Sequence, residues 1–91
     1  MKQIRVLISG RVQGVWFRGW TVQKANELGV KGWVRNLNSG QVEAIFLGEE
    51  TQIEVMLDAC WLGPELAKVK AVEIFQDTSD LSDETLFVQI R

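Results

Sequence analysis

The chain has 91 residues, 46% of them hydrophobic, a formal charge of −2, one cysteine and neither histidine nor tyrosine. That length fits one domain, expected to span residues 1–91, with material for one core. The composition excludes the usual acid–base group of neutral pH, zinc sites built on histidine, and any internal disulfide or cysteine-rich metal site.

No apolar run approaches the roughly 20 residues that a membrane-spanning helix needs. The opening Met1-Lys2-Gln3-Ile4-Arg5 puts charge where a signal peptide would be apolar, so a cytoplasmic protein is expected. Charge is uneven along the chain. Residues 1–40 hold seven basic groups and one acid, whereas residues 41–91 hold three basic groups and eleven acids. An anion would therefore be met by the first half.

Ile4, Val6 and Ile8 alternate through residues 3–9, as in a strand with one buried face. A glycine-bounded loop, Gly10–Val15, follows. Phe17, Thr21, Ala25 and Leu28 then repeat at helical spacing over residues 17–28, and Gly29 is placed to end that helix. Residues 30–36 read as a second strand. Asn38-Ser39-Gly40 marks a hairpin turn, and Val42, Ala44 and Phe46 alternate in the strand after it. Thr51 through Glu54 has the form of a capping box for a second helix. Ile53, Met56, Leu57 and Cys60 lie on that helix's apolar side, and Gly63-Pro64 stops it. Residues 68–76 read as a fourth strand and 77–84 as a polar acidic loop. Residues 85–90 read as a short fifth strand with Leu86, Val88 and Ile90 alternating along one face. Trp33 and Trp61 are expected in the core.

The order β-α-β-β-α-β plus a terminal strand predicts an α/β (α+β sandwich) fold. It is ferredoxin-like, an antiparallel sheet with two helices on one face and a short fifth strand. That fold serves many functions, so function must come from a site.

Gly10 through Arg18 (Gly10-Arg-Val-Gln-Gly-Val-Trp-Phe-Arg18) supplies one. Glycine admits positive φ, so a turn here aims consecutive backbone N–H groups into one concavity. A helix starting just beyond adds the positive end of its dipole, and Arg18 adds a planar fork of donors. These parts suit a phosphate-sized dianion. The bland reading of Arg18 is a surface cation or a partner for a carboxylate. For Asn36, at the end of the second strand, it is a turn residue capping backbone. Arg11 and Arg35 read as surface charges and Cys60 as a small apolar group.

Other phosphate chemistries lack their parts. No Gly-x-x-x-x-Gly-Lys-Ser/Thr string occurs, a Cys-x5-Arg loop would need arginine where Leu66 stands, and no Asp-x-Asp pair exists.

Gly10-Arg-Val-Gln-Gly-Val15 with Phe17-Arg18, then Gly32-Trp-Val-Arg-Asn-Leu37 with Gly40 and Val42-Glu43, resembles the acylphosphatases over nearly the whole chain. The resemblance implies hydrolysis of carboxyl-phosphate mixed anhydrides to carboxylate and inorganic phosphate, with no metal or other cofactor. It implies that the backbone N–H groups of Gln13, Gly14, Val15, Trp16, Phe17 and Arg18 cradle the phosphate. It further implies that Arg18 binds the phosphate oxygens and that Asn36 holds the attacking water. The expected partner is a small acyl phosphate, with no nucleic acid and no membrane, and the protein is expected to be a monomer. Many members of that family carry a small residue at the position of Trp16 and an aromatic at that of Gly19, so Trp16 either walls the acyl side of the pocket or packs. The rival readings are an anion- or RNA-binding module without catalysis, and an interaction protein using Trp16 and Trp20.

Overall fold

The computed structural model describes residues 1–81 and 85–90. Its elements are β1 (Lys2–Arg11), α1 (Phe17–Leu28), β2 (Lys31–Asn36), β3 (Val42–Gly48), α2 (Glu50–Leu62), β4 (Lys68–Gln76) and β5 (Phe87–Gln89). The strands form one sheet in the order β4-β1-β3-β2-β5. β1 runs antiparallel to both β3 and β4, and β2 runs antiparallel to β3. β5 runs parallel to β2, so the fifth strand makes the expected antiparallel sheet a mixed one.

Strand alternation divides the sheet into two faces. Ile4, Val6 and Ile8 of β1 join Val34, Val42, Ala44 and Phe46 in one core. Phe17 and Ala25 of α1 and Ile53, Met56 and Cys60 of α2 enter the same core, so both helices cover this face. Among the described residues no helix is long and apolar enough to cross a membrane. Burial pushes the Cys60 thiol up to about 12, so it stays protonated and inert at neutral pH.

On the opposite face Glu43 is buried between two arginines. Arg5 Nη1 donates to its Oε2 at 3.1 Å, and Arg35 Nε donates to its Oε1 at 2.6 Å. Each guanidinium also covers a ring, Arg5 over Phe75 at 4.5 Å and Arg35 over Trp33 at 5.2 Å. This clamp ties β1, β3 and β2 together where no helix covers them. It also explains Trp33, which was expected in the core. Val34 faces the helices, so its neighbour Trp33 faces away and is only half-buried. Trp61 likewise lies outside the core, 51% exposed, because Met56 and Cys60 carry the buried side of α2.

Two further expectations move. The capping box is formed by Glu49 and Gln52 rather than Thr51 and Glu54, with the Glu49 N–H donating to Gln52 Oε1 at 3.2 Å. Glu49 has the extended backbone an N-cap needs, and the helix begins at Glu50. In β5 the inward residue is Phe87, while Leu86, Val88 and Ile90 are exposed. Phe87 pairs with Gly32, which has no side chain to fill the core side, and its ring stacks on Phe46 at 5.5 Å. Asn26 of α1 fixes this register, accepting from the Phe87 N–H at 2.9 Å and donating to the Phe87 carbonyl at 3.2 Å. Of the acidic loop 77–84, residues 82–84 lie outside the described residues.

Candidate functional site

The topology gathers three strand ends at one sheet edge. β1 and β2 both oppose β3, so they point the same way, and β5 follows β2. The C-terminal ends of all three therefore meet where α1 begins. Ile8, Val42 and Asn36 share one row of the sheet, which sets Asn36 two strand spacings, or about 10 Å, from β1. Asn36 follows Val34 by two positions and so takes the helix side.

β1 leaves the sheet through a bulge at Ser9/Gly10. Gly10 has φ +119°, and a Cβ there would overlap the Lys68 carbonyl. The chain then bends through residues 13–16. Gly14 at φ +74° and Trp16 at φ +66° adopt left-handed backbone, and Trp16 is the N-cap of α1. Left-handed residues interspersed in a turn point successive N–H groups inward. Among the described residues, nothing accepts a hydrogen bond from the N–H groups of Gly14 through Gly19. The N-cap has no side-chain hydrogen bond and the first turn of α1 holds no acid, so the helix's positive end is unneutralised.

A cavity of about 150 Å³ opens at this loop. Gln13, Gly14, Trp16, Phe17 and Arg18 line it together with Asn36. Five of the six expected loop residues and both expected catalytic residues thus meet in one place. Val15 does not line the cavity; its side chain is buried in the core and anchors the loop from beneath. Arg18 has no carboxylate partner among the described residues, whereas Arg5 and Arg35 share Glu43 and Lys24 reaches Glu27. Asn36 Oδ1 is buried and finds no hydrogen-bond donor among the described residues. A capping asparagine would have spent that oxygen on backbone.

Sequence reasoning missed two contributors. Gln89 reaches the cavity because β5 lies parallel to β2, which places Gln89 beside Val34. Gln13 contributes its side chain as well as its backbone. Its Nε2 donates to the carbonyls of Leu37 at 2.8 Å and Gln41 at 2.9 Å. The loop after β1 is thereby tied to the hairpin that follows Asn36. Neither role has a local sequence signal, since both depend on contacts between distant segments.

The fold and the site together define a class: a ferredoxin-like sandwich whose cavity at one sheet edge gathers loop amides, an arginine without a carboxylate partner among the described residues, and a buried amide oxygen. The Acylphosphatase family model matches residues 4–88. An acylphosphatase of Rhodospirillum rubrum is 54% identical over 74 residues, covering 81% of each chain. One of Nitrosococcus oceani is 56% identical over 70 residues, covering 77% of this chain and 79% of the other. The crystal structure of acylphosphatase from Bacillus subtilis superposes over 100% of both chains with a TM-score of 0.92 at 31% identity. The chain belongs to the acylphosphatase family, and its enzymatic class is that of a hydrolase acting on acyl phosphates.

Proposed function

We propose that this domain hydrolyses acyl phosphates by holding the phosphoryl group in the loop formed by residues 13–18, with Arg18 on its oxygens and the attacking water on Asn36. The observation that carries the reading is the convergence on one cavity of amide N–H groups, a guanidinium and a buried Oδ1 that find no partner among the described residues.

Phosphoryl transfer is mostly positioning, plus stabilisation of charge on the equatorial oxygens. The loop amides and Arg18 offer donors for those oxygens. Asn36 Oδ1 accepts a hydrogen bond from the water, leaving the water's lone pair to face phosphorus. The new P–O bond forms as the bond to the acyl oxygen breaks, and the electron pair leaves with the carboxylate. The water's protons remain on the phosphoryl oxygens, giving carboxylate and dihydrogen phosphate. A carboxylate leaves without a proton, so no general acid is needed at that end, and the dianion serves as the base. A chain without histidine is equal to this reaction.

A small-molecule substrate fits better than RNA. The aromatic rings Trp33 and Phe75 on the open sheet face lie under guanidiniums held by Glu43, so they offer no stacking platform. The reading extends to a single domain over residues 1–91 that needs no metal and works as a cytoplasmic monomer. Sedimentation at several concentrations tests the last point. The division of roles is tested by Asn36→Ala. Turnover of benzoyl phosphate is expected to fall about a hundredfold, while inhibition by inorganic phosphate stays within about threefold. Equal loss of both contradicts the assignment of Asn36 to the water.

A further inference from the structure

Trp16 is an expensive residue to keep where it stands. It is the one non-glycine residue with positive φ among the described residues, a conformation that is strained for a bulky side chain. Its side chain adds nothing to the core and is 63% exposed. The indole lies across Gly19 in the first turn of α1. A Cβ at position 19 would overlap the indole nitrogen and stand 2.8 Å from Cδ1 and Cε2. The indole can take this position only because residue 19 is glycine; a Cβ there would push the ring aside. Both residues line the cavity, beside Gly14 and Arg18.

The cavity of about 150 Å³ is small. Sites that bury most of a larger ligand run to about 300–1,000 Å³. With the phosphoryl group and its water placed there as the proposed function has them, little room is left, and the acyl group extends across the mouth. Val12 and Phe17 are buried, which leaves Trp16 as the large apolar side chain exposed there.

We propose that Trp16, seated on Gly19, is a specificity-determining platform that stacks on the acyl group. It directs the enzyme toward acyl phosphates with planar aromatic or extended apolar acyl groups and away from acetyl phosphate. This inference rests on the acyl phosphate reading above.

The test is the ratio of kcat/KM for benzoyl phosphate to that for acetyl phosphate. It is measured on wild type, Trp16→Gly, Trp16→Phe and Gly19→Ala, with inhibition by inorganic phosphate measured alongside. Trp16→Gly removes the ring and relieves the strained φ, so folding is kept. Loss of one stacked face should lower the ratio roughly three- to tenfold. Gly19→Ala, which displaces the indole, should lower it similarly, and Trp16→Phe should retain most of it. An unchanged ratio in Trp16→Gly overturns the proposal. So does an equal fall for both substrates together with weakened phosphate inhibition, which would mean that Trp16 acts only through the loop. If wild type hydrolyses neither substrate, the acyl phosphate reading itself has failed and this assignment falls with it.

Discussion

In the proposed reading, Arg18 and Gln13 serve the same anion site in different ways. Arg18 brings charge and a fork of donors, so Arg18→Ala should reduce turnover by about a thousandfold and weaken phosphate inhibition with it. Arg18→Lys keeps the charge but loses the planar fork and should recover only a minor part. Gln13 sets the distance between the loop and the hairpin through two carbonyls, Leu37 and Gln41. Gln13→Ala should cost about 1–2 kcal/mol of stability, measured by urea unfolding. It should also lower kcat by about tenfold through a displaced Asn36. Normal turnover in that variant would show that the hairpin holds its place without Gln13. Arg18 was legible in the sequence because loop, glycine and arginine are consecutive. Gln13's side chain was not, because its acceptors lie 24 and 28 residues away.

At the scale of elements, the amphipathic patterns gave α1 its exact bounds, residues 17–28, and the fourth strand its bounds, residues 68–76. They failed where a partner decides orientation. The last strand carries Leu86, Val88 and Ile90 on one side and Phe87 on the other, and the choice of Phe87 as the inward residue comes from the vacancy at Gly32 and the clamp of Asn26. Asn26→Ala should therefore destabilise the fold by about 1–3 kcal/mol, since two backbone groups of Phe87 lose their partner. An unchanged urea midpoint would show that the Phe46 stack alone sets the register. The segment after β4 offers a second check. Burial raises the Asp77 carboxyl, but hydrogen bonds from Gln3 and Ser79, with Arg5 nearby, outweigh this and leave it below the ordinary carboxylate value. A lowered folded-state value contributes stability that is present above the unfolded carboxylate pKa of roughly 4 and is lost as pH falls through the lowered one. The stability advantage of wild type over Asp77→Asn should accordingly shrink as pH is lowered below about 4. An advantage that does not change with pH would mean that Asp77 is not titrating in this range.

Across the whole molecule, the charge asymmetry resolves into specific pairs. Arg5 and Arg35 are committed to Glu43 on the open face and Lys24 reaches Glu27, while Arg18 stands at the cavity. The two motifs were legible as separate strings. Their meeting follows from strand order, because two strands that oppose a common third must end at the same edge. The hairpin turn at Asn38-Ser39-Gly40 reveals the pairing of β3 with β2, but no local pattern in the chain reveals its pairing with β1. The buried thiol of Cys60 supplies a check on the core that carries this edge. A thiol reagent at about pH 8 should modify it only on unfolding, and rapid modification of the native protein would contradict the packing of α2. The proposed reaction depends above all on a dianion held by amides and Arg18. Its most direct test is benzoyl phosphate hydrolysis by the purified protein with a chelator present, beside Arg18→Ala. Chelator-resistant hydrolysis that falls about a thousandfold in the variant is the predicted result. Hydrolysis abolished by the chelator, or unchanged in Arg18→Ala, would contradict it.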